Sequence, residues 1–511
     1  MNMPVPTKGL DVQQSLRSGI TLGELERELE SVGARLSGDA DAVVGDVRHD
    51  SRQVRRGDLF VARRGGRASG LAFIEDALAR GAAALLLERG VPESFDVPVL
   101  EVDDVRLALA LAAEAVHGHP TRALSVVGFT GTNGKTTTAW LVQHALAGAG
   151  ARPARLGTLG YDFGADRSES LLTTPEADDI SRLAARVLSR GGTHLVMEAS
   201  SHALSQARVD AVHFTVAAFT NLTQDHLDYH ESMESYAAAK LRLLTELSPD
   251  ASVLNVDDET GARFAERARG RVIRVGRRPD ADVCPIDVEL DARGIHGRVR
   301  LPSGEVRIAS RLVGEHNLDN LLLTLGVVEA LGLSAERAAE ALSLCPSVPG
   351  RLERCDVPVD DVLALVDYAH TPDALARALA AVRGLGTGRV LCVFGCGGDR
   401  DPDKRPLMGD AVGGGADYAI ISNDNPRSEE PEAIAKAIEP GLAAHDIPHE
   451  TILDRAQAIE RAVSLAEPGD VVLVAGKGHE PYQILGDVRR RFDDRVELRR
   501  ALALRRERLG R

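Results

Sequence analysis

The fold turns on residues 124–146. Leu124-Ser-Val-Val-Gly-Phe129 is a β-type run, Thr130-Gly131-Thr132-Asn133-Gly134-Lys135-Thr136-Thr137 follows it, and residues 137–146 have helical character. A glycine-bearing loop between a strand and a helix turns backbone N–H groups toward phosphate oxygens, and the helix N-terminus adds a favourable dipole. In that reading Lys135 reaches the outer phosphates of a nucleotide and the Thr136 hydroxyl ligates Mg²⁺. The match to G-x-x-x-x-G-K-[ST] is incomplete, because position 129 is Phe129 rather than glycine. A glycine-rich turn with a surface lysine is the plainer alternative.

Outward from the loop, short apolar runs end in polar residues. They occur at 195–197 and 212–220, then at 362–366, Val390–Phe394, Tyr418–Ile421 and 471–474, with helical patterns such as 374–382 between them. Strand–helix alternation predicts mostly parallel sheets with helices on their faces, an α/β protein. Ligands of such sheets sit at the carboxyl ends of the strands. Glu198 ends one run and fits a Mg²⁺ ligand. The segment from Asn221 to His230 follows another. There His226 and His230 are four apart but lack H-E-x-x-H, and Asp225 or Thr223 could simply cap a helix.

The chain has 511 residues, enough for about three domains. His117-Gly-His-Pro120 and Pro346-Ser-Val-Pro349-Gly350 predict boundaries that give blocks 1–120, 121–346 and 347–511. Apolar content of 44% and charged content of 27% are those of a globular protein. A net charge of −15 argues against nucleic acid, whose phosphates demand a basic footprint. No run is long enough for a membrane span. The opening, 1–20, does not have the form of a signal peptide. Five cysteines (Cys284, Cys345, Cys355, Cys392, Cys396) form no C-x-x-C pair, which points to a reducing cytoplasm; Cys392 and Cys396 are expected to pack rather than react. Of 61 basic residues, the lysines are Lys8, Lys135, Lys240, Lys404, Lys436 and Lys477. Arginine dominates so heavily that a retained lysine is a candidate for a task that needs lysine.

Taken together, these blocks resemble the Mur ligase family. The phosphate loop is the family's, and the missing first glycine is normal there. The further blocks come in order: Glu198-Ala-Ser-Ser-His202, Asn221 to His230, Tyr236-Ala-Ala-Ala-Lys240, Gly314-Glu-His-Asn317-Leu-Asp-Asn320, Pro349-Gly-Arg351 and Asp367-Tyr-Ala-His370-Thr-Pro372. The resemblance covers nearly the whole chain. It implies three α/β domains: an N-terminal uridine-nucleotide domain, a central P-loop ATPase-like domain, and a C-terminal Rossmann-like domain for an incoming amino acid.

The activity implied is ATP-dependent amide formation through an acyl phosphate, in peptidoglycan precursor synthesis. Its substrates would be UDP-N-acetylmuramoyl-L-alanyl-D-glutamate and meso-diaminopimelate, and the enzyme is expected to be a monomer. By resemblance, ATP is held by Gly131, Thr132, Asn133, Gly134, Lys135, Thr136, Thr137, Asn317, Asn320, Arg351 and Asp367. Mg²⁺ is held by Thr136, Glu198, His226 and Lys240, the last as a carbamate. Carbamylation requires a neutral amine, which lysine can supply and arginine in effect cannot. Lys135, Lys240, Glu198 and His226 are the catalytic candidates. Ordinary roles are a helix-surface lysine for Lys240, helix capping for Asn317 and Asn320, and an interdomain ion pair for Arg351 and Asp367.

The resemblance places the UDP-sugar on Ser51, Thr173, Thr174, Ser200, Gln206 and Arg208. Leu172 stands where relatives often have Asn, and Arg63, Arg64 and Arg67 where they have His-Gln. The amino acid is assigned to Asp424, Asn425, Pro426 and Arg427, with Arg400, Gly476 and Glu480. Arg427 offers a planar fork to the distal carboxylate of a diamino-dicarboxylate, and Asp424 or Asn425 can accept from its ammonium. L-Lysine would leave Arg427 unpaired beside a cation. Asp-Asn-Pro-Arg also suits a β-turn, and both readings can hold. The alternatives are a lysine-adding or folylpolyglutamate-type ligase of the same superfamily, or a non-catalytic nucleotide switch.

Overall fold

Strand formation follows the β-branched and aromatic runs. The structure is a computed structural model that describes residues 19–63, 69–91, 95–164, 166–170, 172–291, 294–385 and 387–510, without the side chain of Asp228. Lys8, Arg64, Arg67 and most of the opening segment lie outside the described residues. The chain forms two compact units. One takes in the chain up to Thr130 with Gly150–Ala217 and Ala239–Ala251, and the other Gly131–Ala149, Ala218–Ala238 and the chain from Ser252 onward.

In the first unit, a five-stranded sheet runs Arg35–Ser37, Val99–Val102, Ala84–Glu88, Asp58–Ala62, Asp46–Arg48. Its first pair is antiparallel and the rest are parallel. Asp46 anchors the network beside it. Its carboxylate meets Arg48 at 2.6 Å, Arg182 at 3.0 Å and His117 at 3.1 Å. Burial opposes ionisation there, but His117 and the two guanidiniums hold Asp46 well below the usual carboxylate range. The strand Ser125–Thr130 pairs in parallel with His194–Glu198, which pairs in parallel with Pro153–Gly157. This register sets Glu198 opposite Phe129, at the end of the strand that feeds the loop.

In the second unit, helix Lys135–Gly148 starts at the loop's lysine, two residues earlier than expected. A small antiparallel sheet (Cys284–Pro285, Glu289–Asp291, Gly294–Leu301, Gly304–Ser310) follows. A six-stranded sheet then runs Glu353–Arg354, Leu363–Asp367, Val471–Ala475, Val390–Phe394, Tyr418–Ile421, His449–Thr451. All but its first pair are parallel. Leu365, Cys392, Phe394 and Leu473 enter one apolar cluster; Ala364, Val366, Leu391, Val393, Val472 and Val474 enter another. Period-two alternation thus buries both faces, as helix-covered parallel sheets require. Each large side chain so buried contributes roughly 1.5–3 kcal/mol. Cys392 and Cys396 pack within this core, and burial pushes both thiols up to about 12.

The strand expected over 212–220 is shorter, Val216–Phe219. Val212 closes a turn onto the Val209 carbonyl, and the Phe214 ring fills the space beside Gly128. The expected helix 374–382 is Pro372–Arg383, with the Thr371 hydroxyl capping Ala374 N–H and Pro372 in the first turn.

Arg455 and Asp494 form a fully buried bidentate pair at 2.7 and 2.8 Å. Arg455 also donates to the carbonyls of Ala475 (2.8 Å) and Asn423 (3.3 Å), tying two strand ends to the last helix. Arg455→Met leaves Asp494 buried and unpaired. The expected loss in urea unfolding is about 3–5 kcal/mol, and a loss below about 1 kcal/mol contradicts this role.

Candidate active site

Phosphate-loop geometry follows from two glycines and the segment after Phe219. Gly131 (φ 141°) and Gly134 (φ 87°) hold left-handed backbone, and a Cβ on Gly131 would overlap the Thr220 hydroxyl. Thr132 N–H donates to the Asn221 carbonyl, and Asn133 N–H donates to Asn221 Oδ1 at 2.9 Å. Thr220 Oγ1 and Asn221 Nδ2 donate back to the Asn133 carbonyl at 2.6 and 3.1 Å. Asn133 Nδ2 donates to Asp373 Oδ2 at 2.9 Å. Lys135 Nζ donates to the carbonyls of Gly131 (2.8 Å) and Thr132 (2.9 Å), so it lies folded over its own loop.

A cleft is lined by Asn133, Gly134, Thr136, Thr137, Asn317, Asn320, Arg351 and Asp367, together with Thr220, Asn221 and His316. Gly131, Thr132 and Lys135 are not among its walls. Asn317 and Asn320 are buried inside helix Glu315–Ala330, whose N-cap is Gly314, so capping does not explain them. Asn320 Nδ2 donates to Asn317 Oδ1 (3.1 Å), and Thr138 donates to Asn320 Oδ1 (3.0 Å). Arg351 lies 4.5 Å over the Tyr368 ring and reaches Thr136 Oγ1 at 3.4 Å. Burial pushes Asp367 up, against Arg351 and the N–H groups of Leu352 and Ala369. His316, Asp319 and Arg377 also line the cleft and were not expected from sequence; His316 and Asp319 fall within Gly314 to Asn320, and Arg377 stands on helix Pro372–Arg383 with Asp373, which holds Asn133.

A second cluster surrounds Glu198. Thr158 donates through its N–H (2.8 Å) and its hydroxyl (3.2 Å) to the Glu198 carboxylate, and lies 3.2 Å from Thr173 Oγ1. Thr174 donates to the Glu198 carbonyl (2.8 Å) and accepts from Ser200 N–H (3.0 Å). Arg208 reaches the Thr174 carbonyl at 3.2 Å and Gln206 Oε1 at 2.6 Å. Arg208 and Arg63 share the Glu176 carboxylate at 3.1 and 2.8 Å. Glu176 was passed over, although it follows the Thr pair by two residues. Thr173, Thr174, Glu198, Ser200, Gln206 and Arg208 are therefore brought together. Ser51 is buried at the start of a short 3₁₀ turn capped by Asp50.

Lys240 is only 1% exposed, on helix Met233–Thr245, which excludes a helix-surface lysine. His226 is 46% exposed at its side chain, in left-handed conformation (φ 54°), 3.4 Å from Asp225. It is itself the N-cap of Leu227–His230 and no side chain caps that turn. The capping expected of Asp225 or Thr223 is thus absent: Asp225 Oδ1 accepts from His226 N–H, and Thr223 Oγ1 accepts from Asn133. Among the described residues, no group of three or more His, Cys, Asp or Glu side chains is spaced to hold a metal.

The third cluster stands at the carboxyl ends of Tyr418–Ile421 and Val471–Ala475. Arg427 adopts φ 53° and donates to the Gly398 carbonyl at 2.7 Å. Asn425 Nδ2 donates to Glu480 Oε2 at 3.0 Å. Gly476 holds φ 119°, and a Cβ there would collide with Asp424 Oδ2. Arg400 donates to the Asp399 carbonyl at 3.3 Å and approaches Gly397, as Arg427 does. Asp424, Asn425, Pro426, Arg427, Arg400, Gly476 and Glu480 thus share one end of the sheet.

Comparison with known proteins adds a family. Models described as Mur ligase family, catalytic domain; Mur ligase middle domain; and Mur ligase, glutamate ligase domain match residues 44–117, 129–328 and 350–478. A Geobacter metallireducens protein named UDP-N-acetylmuramoyl-L-alanyl-D-glutamate–2,6-diaminopimelate ligase is 45% identical over 473 residues, covering 88% of this chain and 92% of its own. A Gloeobacter violaceus protein of that name is 44% identical over 472 residues, covering 92% and 96%. A solved structure of an enzyme so named aligns with TM-score 0.68 at 31% identity, covering 95% and 99%. The MurF ligase of Thermotoga maritima in complex with ADP shares the fold, with TM-score 0.62 at 20% identity, covering 90% and 98%.

Burial, with Arg377 and Arg277 nearby, lowers His316 to about 4. The unfolded chain takes up this proton below about pH 6.5 and the folded chain does not, so stability is lost as pH falls from about 6.5 to 4. His316→Gln is expected to recover about 1 kcal/mol of the wild-type loss between pH 7 and pH 5 in urea unfolding. Identical losses in both proteins contradict a neutral, cleft-facing imidazole.

Proposed function

The chain belongs to the Mur ligase family of ATP-dependent, amide-forming ligases, and we propose that it joins meso-diaminopimelate to UDP-N-acetylmuramoyl-L-alanyl-D-glutamate. The observation that carries the choice of amino acid is the cluster of Arg427, Asp424, Asn425 and Glu480 at one end of the C-terminal sheet. It offers a guanidinium to a distal carboxylate and carboxylates to a distal ammonium. The proposed domain limits are 1–120 for the UDP-sugar, 121–346 for ATP and 347–511 for the amino acid.

The reaction proceeds in two steps. An oxygen of the D-glutamyl side-chain carboxylate attacks the γ-phosphorus of ATP, the bond to ADP breaks, and an acyl phosphate forms. The amine of diaminopimelate then attacks the acyl carbon, the carbon–oxygen bond to phosphate breaks, and the amine proton passes to solvent. Both partners of the first step are anionic, so charge must be neutralised and the groups held in line. Lys135 swings from the carbonyls of its loop to the transferring phosphoryl group. Asn317, Asn320, Arg351 and Asp367 hold the nucleotide in the cleft, with Arg351 already beside Thr136.

Mg²⁺ when bound supplies further charge neutralisation. Its proposed ligands are the Thr136 hydroxyl, Glu198, His226 and a carbamate on Lys240. Near-complete burial of Lys240 supports that last role, because burial disfavours the ammonium and favours the neutral amine that carbamylation requires. On the sugar side, Arg208 and the hydroxyls of Ser51, Thr173, Thr174 and Ser200, with Gln206, suit diphosphate and carboxylate recognition.

The test is phosphate release with ATP and the UDP-muramoyl dipeptide, amino acids being added one at a time. Release with meso-diaminopimelate and not with L-lysine is expected; the reverse contradicts the reading, and no release with either favours a nucleotide switch. Arg427→Ala should raise the KM for meso-diaminopimelate on the order of tenfold to a hundredfold, since it removes a charge-assisted hydrogen-bonding partner. The KM for ATP should stay unchanged; equal effects on both would make Arg427 structural. Lys240→Ala should lose most activity and regain part of it with a small added carboxylate. Wild-type activity in Lys240→Arg would refute the carbamate.

A further inference from the structure

Lys477 has no part in the proposed reaction, yet it is among the most deeply buried charges of the described residues, with a side chain 0% exposed. Its Nζ donates to Asn425 Oδ1 at 3.1 Å and to Glu480 Oε2 at 3.1 Å, and stands 4.0 Å from Asp424 Oδ1. The Tyr482 ring lies 5.6 Å from it. Asn425 closes the triangle: Nδ2 donates to the same Glu480 oxygen, and Oδ1 also accepts from Ile484 N–H at 2.9 Å. Glu480 Oε2 is therefore taken by two donors, while Oε1 has none among the described residues.

We propose that Lys477 is the positioning residue that fixes Glu480 and Asn425 in the arrangement that receives the ammonium of the incoming diamino acid. This rests on the reading of that cluster as the amino-acid site. Asp424 and Glu480 are both to face one substrate ammonium, and before it arrives they need a cation that stays. Carboxylates held away from water without a cation are costly, and the Asn425 amide alone does not neutralise Glu480, so the loop would otherwise turn it outward to water. Lys477 also orients by hydrogen bonding: engaging Oε2 leaves Oε1 for the ligand. An arginine would not serve, because five N–H donors in a rigid fork would need acceptors in a space that supplies Asn425 Oδ1 and Glu480 Oε2. Lysine, otherwise scarce in this chain, meets both acceptors with one compact group.

Steady-state phosphate release by the full-length enzyme tests this with Lys477→Met, Glu480→Gln and the double variant, varying each substrate in turn. Lys477→Met should raise the KM for meso-diaminopimelate on the order of tenfold to a hundredfold, as loss of a charged hydrogen bond implies. The KM for ATP and for the UDP-muramoyl dipeptide should not move. In the Glu480→Gln background, adding Lys477→Met should cost much less, because the group it positions is already altered. The double variant leaves no half-buried carboxylate at position 480 without its ammonium, so it also serves if Lys477→Met alone does not fold. An unchanged KM for the diamino acid, an equal rise for ATP, or a full additive effect in the double variant overturns the proposal. A wild-type enzyme that accepts no diamino acid overturns the functional reading instead.

Discussion

Strand Val471–Ala475 pairs in parallel on both sides, with Leu363–Asp367 and with Val390–Phe394, and this register sets where chemistry occurs in the C-terminal region. It brings Asp367, Gly476 and the loop after Phe394 to one end of the sheet, and Tyr418–Ile421 adds Asp424 there. Parallel strands all deliver their following loops to the same side, so residues more than a hundred positions apart become neighbours. The same rule acts where Ser125–Thr130 pairs with His194–Glu198, setting Glu198 across from Phe129. Burial of alternate residues on both faces keeps the register fixed, because a one-residue slip would exchange the two core clusters.

Much of this could be read from sequence because period and punctuation carry it. The apolar runs Val390–Phe394 and Tyr418–Ile421 fall on strands with those same limits. The phosphate loop announces itself by composition, and its backbone does adopt left-handed turns at Gly131 and Gly134. What escaped has a common cause. Asp373 bonds Asn133 across 240 residues and Glu176 bonds Arg63 across 113. Neither acid sits in a pattern, and only the fold makes it a partner. The antiparallel sheet from Cys284 to Ser310 was not foreseen either; its polar, half-exposed strands lack a long apolar run. Capping at His226 failed for a local reason, since left-handed backbone there turns Asp225 back onto His226 N–H.

Lysine placement gains meaning from burial. Lys436 is exposed on its helix, whereas Lys240 and Lys477 are buried, Lys135 folds over the phosphate loop and Lys404 donates to the His370 carbonyl. Among the described residues, this arginine-rich chain has thus kept lysine mainly at interior or loop-bound positions, where one compact ammonium or a neutral amine serves better than a guanidinium.

In the proposed reaction ATP activates a carboxylate, which an amine then captures. Labelling the D-glutamyl side-chain carboxylate of the UDP-muramoyl dipeptide with heavy oxygen tests it most directly. In a turnover with ATP and meso-diaminopimelate, carboxylate activation delivers one labelled oxygen to the released phosphate and leaves the other in the product amide. Unlabelled phosphate, with both labelled oxygens still on the dipeptide, would mean that water rather than the substrate attacks ATP, and would contradict it.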